Sequence, residues 1–287
     1  MCLELADTVA LLRERLRPAR AAATAIGLVP TMGALHAGHF ALIDRARREC
    51  RCIVVSIFVN PLQFDRQDDL RRYPRALQAD LDACRARGVD LVFAPGESEM
   101  YPAPPACTVE VARLADHLCG RHRTGHFNGV ATVVLKLLQI VQPARAYFGE
   151  KDAQQLAVIR RLVRDLNVPV DIVAVPIVRE ADGLAISSRN AHLSPEERQV
   201  AVVLYRALCC GQRQIAAGET DAAAVRERAV ACVPADAGLR LEYLEVVDPE
   251  EMQPVRTVAR PVRIAGALWV GATRLIDNVL CAPPPAA

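Results

Sequence analysis

Through the first 175 residues, short apolar runs alternate with segments whose apolar positions recur at helical spacing. The runs read as strands over 25–29, 52–59, 90–93, 144–148 and 170–175. The spaced segments predict helices over 39–49, 70–87, 129–141 and 152–166, the second closed by Gly88 as a C-cap. This alternation implies βαβ units, right-handed crossovers and a parallel sheet. Ligands of such sheets bind beyond the carboxyl ends of the strands. The segments opening at Pro30, Asn60 and Gly149 should therefore converge.

Past about residue 178 the pattern changes. Ser194-Pro195-Glu196-Glu197 reads as a capping box with proline at the first helical position, launching a helix to about Ala217. Asp221 opens another helix, and 241–247, 261–270 and 273–280 look like antiparallel strands. The expected architecture is α/β with a smaller α+β C-terminal domain. The tail APPPAA reads as disordered, and no internal repeat is visible.

Composition narrows the class. The chain has 287 residues, 52% of them apolar and 24% charged, enough for one large or two modest globular domains. A net charge of +2 gives no reason to expect nucleic acid or a membrane surface as partner. The first residues mix charges into apolar positions, without a secretory apolar region, and no run is long enough to span a bilayer. The expectation is a cytoplasmic protein. None of the ten cysteines forms a CxxC pair, so they read as reduced core residues rather than metal ligands.

Four segments carry candidate chemistry. PTMGALHAGH, 30–39, passes from strand through a glycine-bearing turn to a helix start. His36 and His39 lie three apart there, on one face. Unpaired N–H groups at a helix start attract phosphate, and two imidazoles can donate to phosphate oxygens as charge develops. SIFVNPLQF, 56–64, puts Asn60 and Gln63 after a strand; Asn-Pro alone would only be a turn, but an amide in that crevice can bind a hydroxyl or carboxylate. FGEKDAQQL, 148–156, offers Lys151 to phosphate, Asp152 to a ribose hydroxyl or simply to the helix as a cap, and Gln155 one turn on. GLAISSRN, 183–190, gathers Ser187, Ser188 and Arg189, either as a loop closing on polyphosphate or as a polar linker.

Taken together these segments resemble the pantothenate synthetase (pantoate–β-alanine ligase) family of the HIGH-motif nucleotidylyltransferase superfamily, over nearly the whole chain. PTMGALHAGH looks like its HIGH signature and ISSRN like its KMSKS counterpart. SIFVNPLQF, RYPRALQAD, TGHFNGVATVV, FGEKDAQQL and RLIDN also match. The resemblance implies a Rossmann-like parallel-sheet catalytic domain over 1–177, binding ATP and pantoate, and a smaller α+β lid domain over 178–287. It implies condensation of (R)-pantoate with β-alanine through pantoyl adenylate, releasing AMP and pyrophosphate and yielding pantothenate, a coenzyme A precursor. By position, Met32, Gly33, Ala34, Leu35, His36, Ala37, Gly38, His39, Gly149, Glu150, Lys151, Asp152, Val178, Ile186, Ser187, Ser188 and Arg189 would bind ATP. His39, His36, Lys151 and Arg189 would be catalytic. Gln63, Gln155, Asn60, Arg123 and His126 would serve pantoate and β-alanine. Mg2+ is expected with ATP, held by the phosphates and with no protein ligand named. A homodimer is expected, with no nucleic acid or membrane partner. The lid and its ISSRN loop should fold over the ATP site. The sequence departs from the family at Ile186, where methionine or leucine is usual, and at Cys119 and Thr124, where glutamate and proline are.

Two other readings remain open from the residues alone. A nucleotidylyltransferase moving AMP or CMP onto a phosphate would use the same HIGH-like turn. A silent nucleotide-binding protein could share the fold, although it would be expected to lose a phosphate-contacting residue.

Overall fold

The computed structural model describes residues 3–235 and 238–284. The end of the APPPAA tail, 285–287, whose disorder was expected, lies outside the described residues. The chain divides into two compact units. The first comprises Met1–Val111, Thr124–Glu150 and Val158–Pro176, and the second Ala112–Arg123, Lys151–Ala157 and Ile177–Ala287.

The first unit holds β1 (Glu4–Ala6), β2 (Ile26–Thr31), β3 (Cys52–Ile57), β4 (Leu91–Phe93), β5 (Arg145–Gly149) and β6 (Asp171–Val175). All pairings are parallel, in the order β1-β4-β3-β2-β5-β6. From β2 the chain winds one way to β3 and β4, and β5 and β6 then add on its other side. The order therefore reverses between β2 and β5, the position where open α/β sheets bind ligands. The carboxyl ends of β3, β2 and β5, adjacent in that order, launch the Asn60, Met32 and Gly149 segments. Val29, Ile43, Ala46, Ile53, Val55, Val92 and Tyr147 are fully buried and form one core cluster against this sheet. Each such aliphatic side chain contributes about 1.5–3 kcal/mol of burial.

Three local outcomes differ from the pattern. β1 is too short to show any alternation, and the helix Val9–Ala21 that follows is capped by Thr8, whose hydroxyl accepts from the Leu11 N–H at 3.2 Å. The single helix expected over 70–87 is two, Gln67–Arg72 and Leu77–Ala86. Pro74 causes the break by holding Tyr73 extended at φ −61°, ψ 126°. The expected stop at Gly88 is present: Gly88 N–H bonds Arg85 O and Val89 N–H bonds Cys84 O, both at 3.1 Å, the paired pattern of a left-handed glycine cap. The helix expected from 129 begins three residues earlier, at His126, behind Gly125 at φ 75°.

In the second unit β7 (Leu239–Val247), β8 (Val262–Val270) and β9 (Thr273–Cys281) form an antiparallel sheet in chain order. Leu204, Leu208, Ile215, Val225, Leu244, Ile264 and Leu268 form its core with helices Val203–Ala216 and Ala222–Ala231. The Ser194 capping box is present in both directions, Glu197 N–H to Ser194 Oγ at 3.2 Å and Ser194 N–H to Glu197 Oε2 at 2.9 Å. The helix it opens pauses at 201–202, where the backbone stays right-handed.

Cys50, Cys84, Cys119 and Cys281 are buried, but Cys107 and Cys232 are exposed, so the core reading of the cysteines holds only in part. No helix among the described residues is long and apolar enough to cross a membrane.

Candidate active site

In the first unit the chain leaves β2 and turns through left-handed residues at Gly33 (φ 82°) and Ala34 (φ 51°). The second is costly for a residue with a side chain, by roughly 1–2 kcal/mol. Asp80, 3% exposed, holds the turn by accepting from Ala34 N–H at 2.9 Å and Leu35 N–H at 2.8 Å. Thr31 Oγ1 adds a third tie, accepting from Gly33 N–H at 3.1 Å and donating to Ser56 O at 2.8 Å.

The turn delivers His36 to the N-cap and His39 to the first turn of the helix Ala37–Glu49. The two imidazoles form a reciprocal cap. His36 Nδ1 accepts from Gly38 N–H at 3.1 Å, and His39 Nδ1 accepts from His36 N–H at 3.3 Å. Their rings stand 4.1 Å apart. Since both Nδ1 atoms accept, both rings are the neutral tautomer with the proton on Nε2. Each can then donate through Nε2–H to an anionic oxygen at a helix N-terminus, where the dipole already favours negative charge. A Cβ at Gly38 would lie 2.9 Å from His36 Cε1, so a side chain there would push the imidazole from its capping position.

Beyond β3, Asn60 and Gln63 are buried, at 1% and 8% exposure. Asn60 Nδ2 donates to Gln63 Oε1 and to Gly129 O, both at 3.1 Å. Gln63 Nε2 donates to Met32 Sδ at 3.1 Å, so the second segment touches the first. His126 Nδ1 donates to Gln63 O at 2.7 Å. Asn60, Gln63, His126 and Met32 are thus brought together. Asn60 uses its amide on protein groups and acts as a brace for Gln63. β5 ends at Gly149, and Glu150 follows in a single 3₁₀ turn.

The second unit gathers the other set. Val178 and Ile186 are paired, Ile186 N–H to Val178 O at 3.0 Å, across a hairpin that turns at Gly183. Ser187 Oγ accepts from Arg189 N–H at 3.3 Å and opens the 3₁₀ turn Ser188–His192. Lys151 is anchored through its carbonyl, which accepts from Asn278 Nδ2 at 3.0 Å. Gln155 is half-buried and Asp152 exposed, while the neighbouring Gln154 is buried and donates to Leu114 O and His117 O. Arg123 closes the short helix Leu118–His122 and falls in this unit, whereas His126 falls in the first.

Sequence reasoning assigned no role to three residues that hold these groups, although RYPRALQAD and RLIDN contained the signal. Asp80 supports the histidine turn. Asp277 receives Arg179 at 2.6 and 2.9 Å, with the Arg179 guanidinium 4.0 Å over the Tyr205 ring, and so fixes the Val178–Ile186 hairpin. Asn278 fixes Lys151. Cys119, where the resemblance expects glutamate, sits 3.1 Å from Tyr243 Oη and 3.5 Å from Arg274 Nη2. Arg274 takes its carboxylate from Glu242 instead, with Nε at 2.9 Å.

Comparison with known proteins gives a consistent result. The family profile for pantoate-beta-alanine ligase matches residues 4–280. The pantothenate synthetase of Moorella thermoacetica is 50% identical over 97% of this chain and 98% of its own. The crystal structure of pantothenate synthetase from Thermus thermophilus superposes with a TM-score of 0.91 at 48% identity, covering 96% of this chain and 98% of that one. A pantoate-beta-alanine ligase from Francisella tularensis, complexed with beta-gamma ATP and beta-alanine, gives 0.80 at 36% identity, covering 97% and 98%. The chain spans about half the length of the bifunctional pantoate ligase/cytidylate kinases that it also matches.

Proposed function

The chain belongs to the pantoate–β-alanine ligase family, and from that premise we propose how its residues divide the work. The reaction is the ATP-dependent condensation of (R)-pantoate with β-alanine in pantothenate biosynthesis. In the first step a pantoate carboxylate oxygen attacks the α-phosphorus of ATP and pyrophosphate leaves. In the second, the β-alanine amine attacks the acyl carbon of pantoyl adenylate and AMP leaves. Adenylation is needed because a carboxylate is a poor acyl donor.

The observation that carries this reading is the reciprocal histidine cap after β2, which presents two neutral Nε2–H donors at a helix N-terminus. His36 and His39 stabilise charge on the phosphates as the α-phosphorus is attacked. Pyrophosphate is a good leaving group, so His39 acts chiefly as a fixed donor and not as an acid. Lys151, Ser187, Ser188 and Arg189 bind polyphosphate. Met32, Ala34, Leu35, Ala37 and Gly38, with Gly149, Glu150, Asp152, Val178 and Ile186, complete the ATP contacts. Gln63 and Gln155 take pantoate, with Gln63 also serving β-alanine. Asn60 and His126 hold Gln63, and Arg123 serves the pantoate side.

Magnesium fits this arrangement as a companion of the nucleotide. Among the described residues no three His, Cys, Asp or Glu side chains are grouped to hold a metal, and both Asp80 oxygens are committed to backbone N–H groups. It would offset phosphate charge when bound. We further propose a cytoplasmic homodimer, with residues 1–177 serving as catalytic domain and 178–287 as lid.

The test is pyrophosphate release from ATP and (R)-pantoate, with and without β-alanine. A single-turnover burst without amine, becoming sustained AMP formation with it, is expected. ATP binding with no pantoate-dependent pyrophosphate would sink the ligase reading in favour of another nucleotidylyl transfer or a silent protein.

A further inference from the structure

The hydrogen bonds beneath Gln63 have only one possible direction. Gly129 O is a backbone carbonyl and can only accept, so the Asn60 atom 3.1 Å from it is the amide nitrogen. Leu62 N–H can only donate, so the atom it meets at 3.4 Å is Asn60 Oδ1. These backbone groups identify which end of the Asn60 amide is which, but the bond on Oδ1 from Leu62 is long, so it holds that end only weakly. Tyr101 Oη, 2.9 Å from Oδ1, must then donate. The Gln63 atom facing Asn60 Nδ2 must accept, so it is Oε1. The Gln63 NH2 consequently faces the other way, toward Met32 Sδ, a weak acceptor that a stronger one can displace.

We propose that Tyr101 is a positioning residue of this site. With Gly129 O and Leu62 N–H it holds Asn60, and through Asn60 it turns the Gln63 NH2 outward, so that the substrate group this NH2 takes is an acceptor oxygen, carboxylate or hydroxyl. The identity of that substrate rests on the ligase reading above.

Other contacts support the assignment. Burial, with the nearby Glu97 charge second, pushes the Tyr101 phenol up to about 12, so it keeps its proton at any working pH. Lys136 Nζ lies 5.1 Å over the Tyr101 ring, and the Phe58 ring packs at 6.0 Å. The Gly129 carbonyl is equally fixed. A Cβ on Gly129 would fall 2.2 Å from Leu62 O, so the helix start and the 60–63 turn fit together only with glycine there.

The test is a double-mutant cycle on pantoate kinetics. Tyr101→Phe keeps the ring and removes the donor. It is expected to raise KM for pantoate about tenfold, the size of one hydrogen bond, with kcat and the KM for ATP little changed. In a Gln63→Ala background the same change should have no further effect on pantoate, because the group it orients is gone. An unchanged pantoate KM in Tyr101→Phe overturns the proposal. So does an equal fold-change in both backgrounds, which would mark Tyr101 as merely structural. The wild-type pyrophosphate assay is run first; failure there removes the ligase reading and this proposal's substrate together, and is distinguishable from failure of the relay alone.

Discussion

The two sets of candidate residues are held by different physics. In the first unit the histidine turn and the Asn60–Gln63 turn are fixed by directional bonds, mostly to backbone, from buried or half-buried groups. In the second unit the hairpin of Val178 and Ile186 is fixed largely by ion pairs. Arg179 meets Asp277, and Arg198 meets Glu180 and Asp182, both at 2.7 Å. Directional bonds to backbone set atoms to fractions of an ångström and are indifferent to salt. Ion pairs hold a segment in place but yield to ionic strength where they are exposed. Under the roles proposed above, the first would suit groups that meet a transition state, and the second groups that bind and release a polyanion.

The largest expected effect breaks the first set from beneath. Asp80→Asn is isosteric, yet its NH2 must face either Ala34 N–H or Leu35 N–H, leaving one buried donor opposed. A charge-assisted bond lost at a strained turn is worth about 3 kcal/mol, so kcat/KM should fall roughly a hundredfold. Steady-state pyrophosphate release checks it, and near-normal turnover would show that the turn holds itself. Next comes Arg189→Ala, on the second set. It should cut ATP use by roughly ten- to a hundredfold while thermal melting stays unchanged, and normal turnover would count against assigning this loop to polyphosphate. Asp277→Asn should be milder for catalysis and harsher for folding. It leaves Arg179 without its carboxylate in a site where Asp277 is 5% exposed. Stability should drop by about 3 kcal/mol, with a several-fold rise in KM for ATP and pantoate KM unmoved. A matching rise in pantoate KM would erase the distinction between the two sets.

How much of this the sequence disclosed follows the same division. Alternation gave the parallel sheet because period-2 and helical-period patterns are local. The strand order, with its reversal beside β2, is not local and came only from the fold. The histidine pair was legible because its spacing is that of a helix turn. That the pair caps its own helix, and so fixes its own tautomer, depends on the φ of −138° at His36, which no pattern encodes. Gln63 could be picked out, but its direction could not, since the deciding partner is Gly129 O, which lies 69 residues along the chain from the Asn60 it orients. Pro74 was visible and should have split the predicted helix at Tyr73, since a residue before proline resists helix. Asp80, Asp277 and Asn278 lay inside recognisable motifs, yet a buried polar residue's role is defined by what it faces.

The smallest expected effect sharpens the comparison most directly, because it separates salt from geometry. Arg198 clasps the hairpin tip from the helix Pro195–Val200 and is only partly covered. Arg198→Ala should cost about 0.5–1 kcal/mol of stability and change KM for ATP no more than about threefold. The Arg198 hydrogen bond holds the Asp182 carboxyl below its usual value. A depressed acid contributes its stability above the unfolded pKa, about 3.9, and loses it as pH falls through the folded one. Wild type and Arg198→Ala should therefore differ by a constant amount from about pH 5 upward and converge in stronger acid. Raising salt from ~0.1 M to ~1 M, which shortens the Debye length from about 10 Å to about 3 Å, should shrink the same gap. Salt should not move the deficit of Asp80→Asn, whose carboxylate is buried. Melting curves of the three proteins across pH and salt decide it. If salt erodes the Asp80→Asn deficit as it erodes that of Arg198→Ala, the two sets are held by the same forces after all.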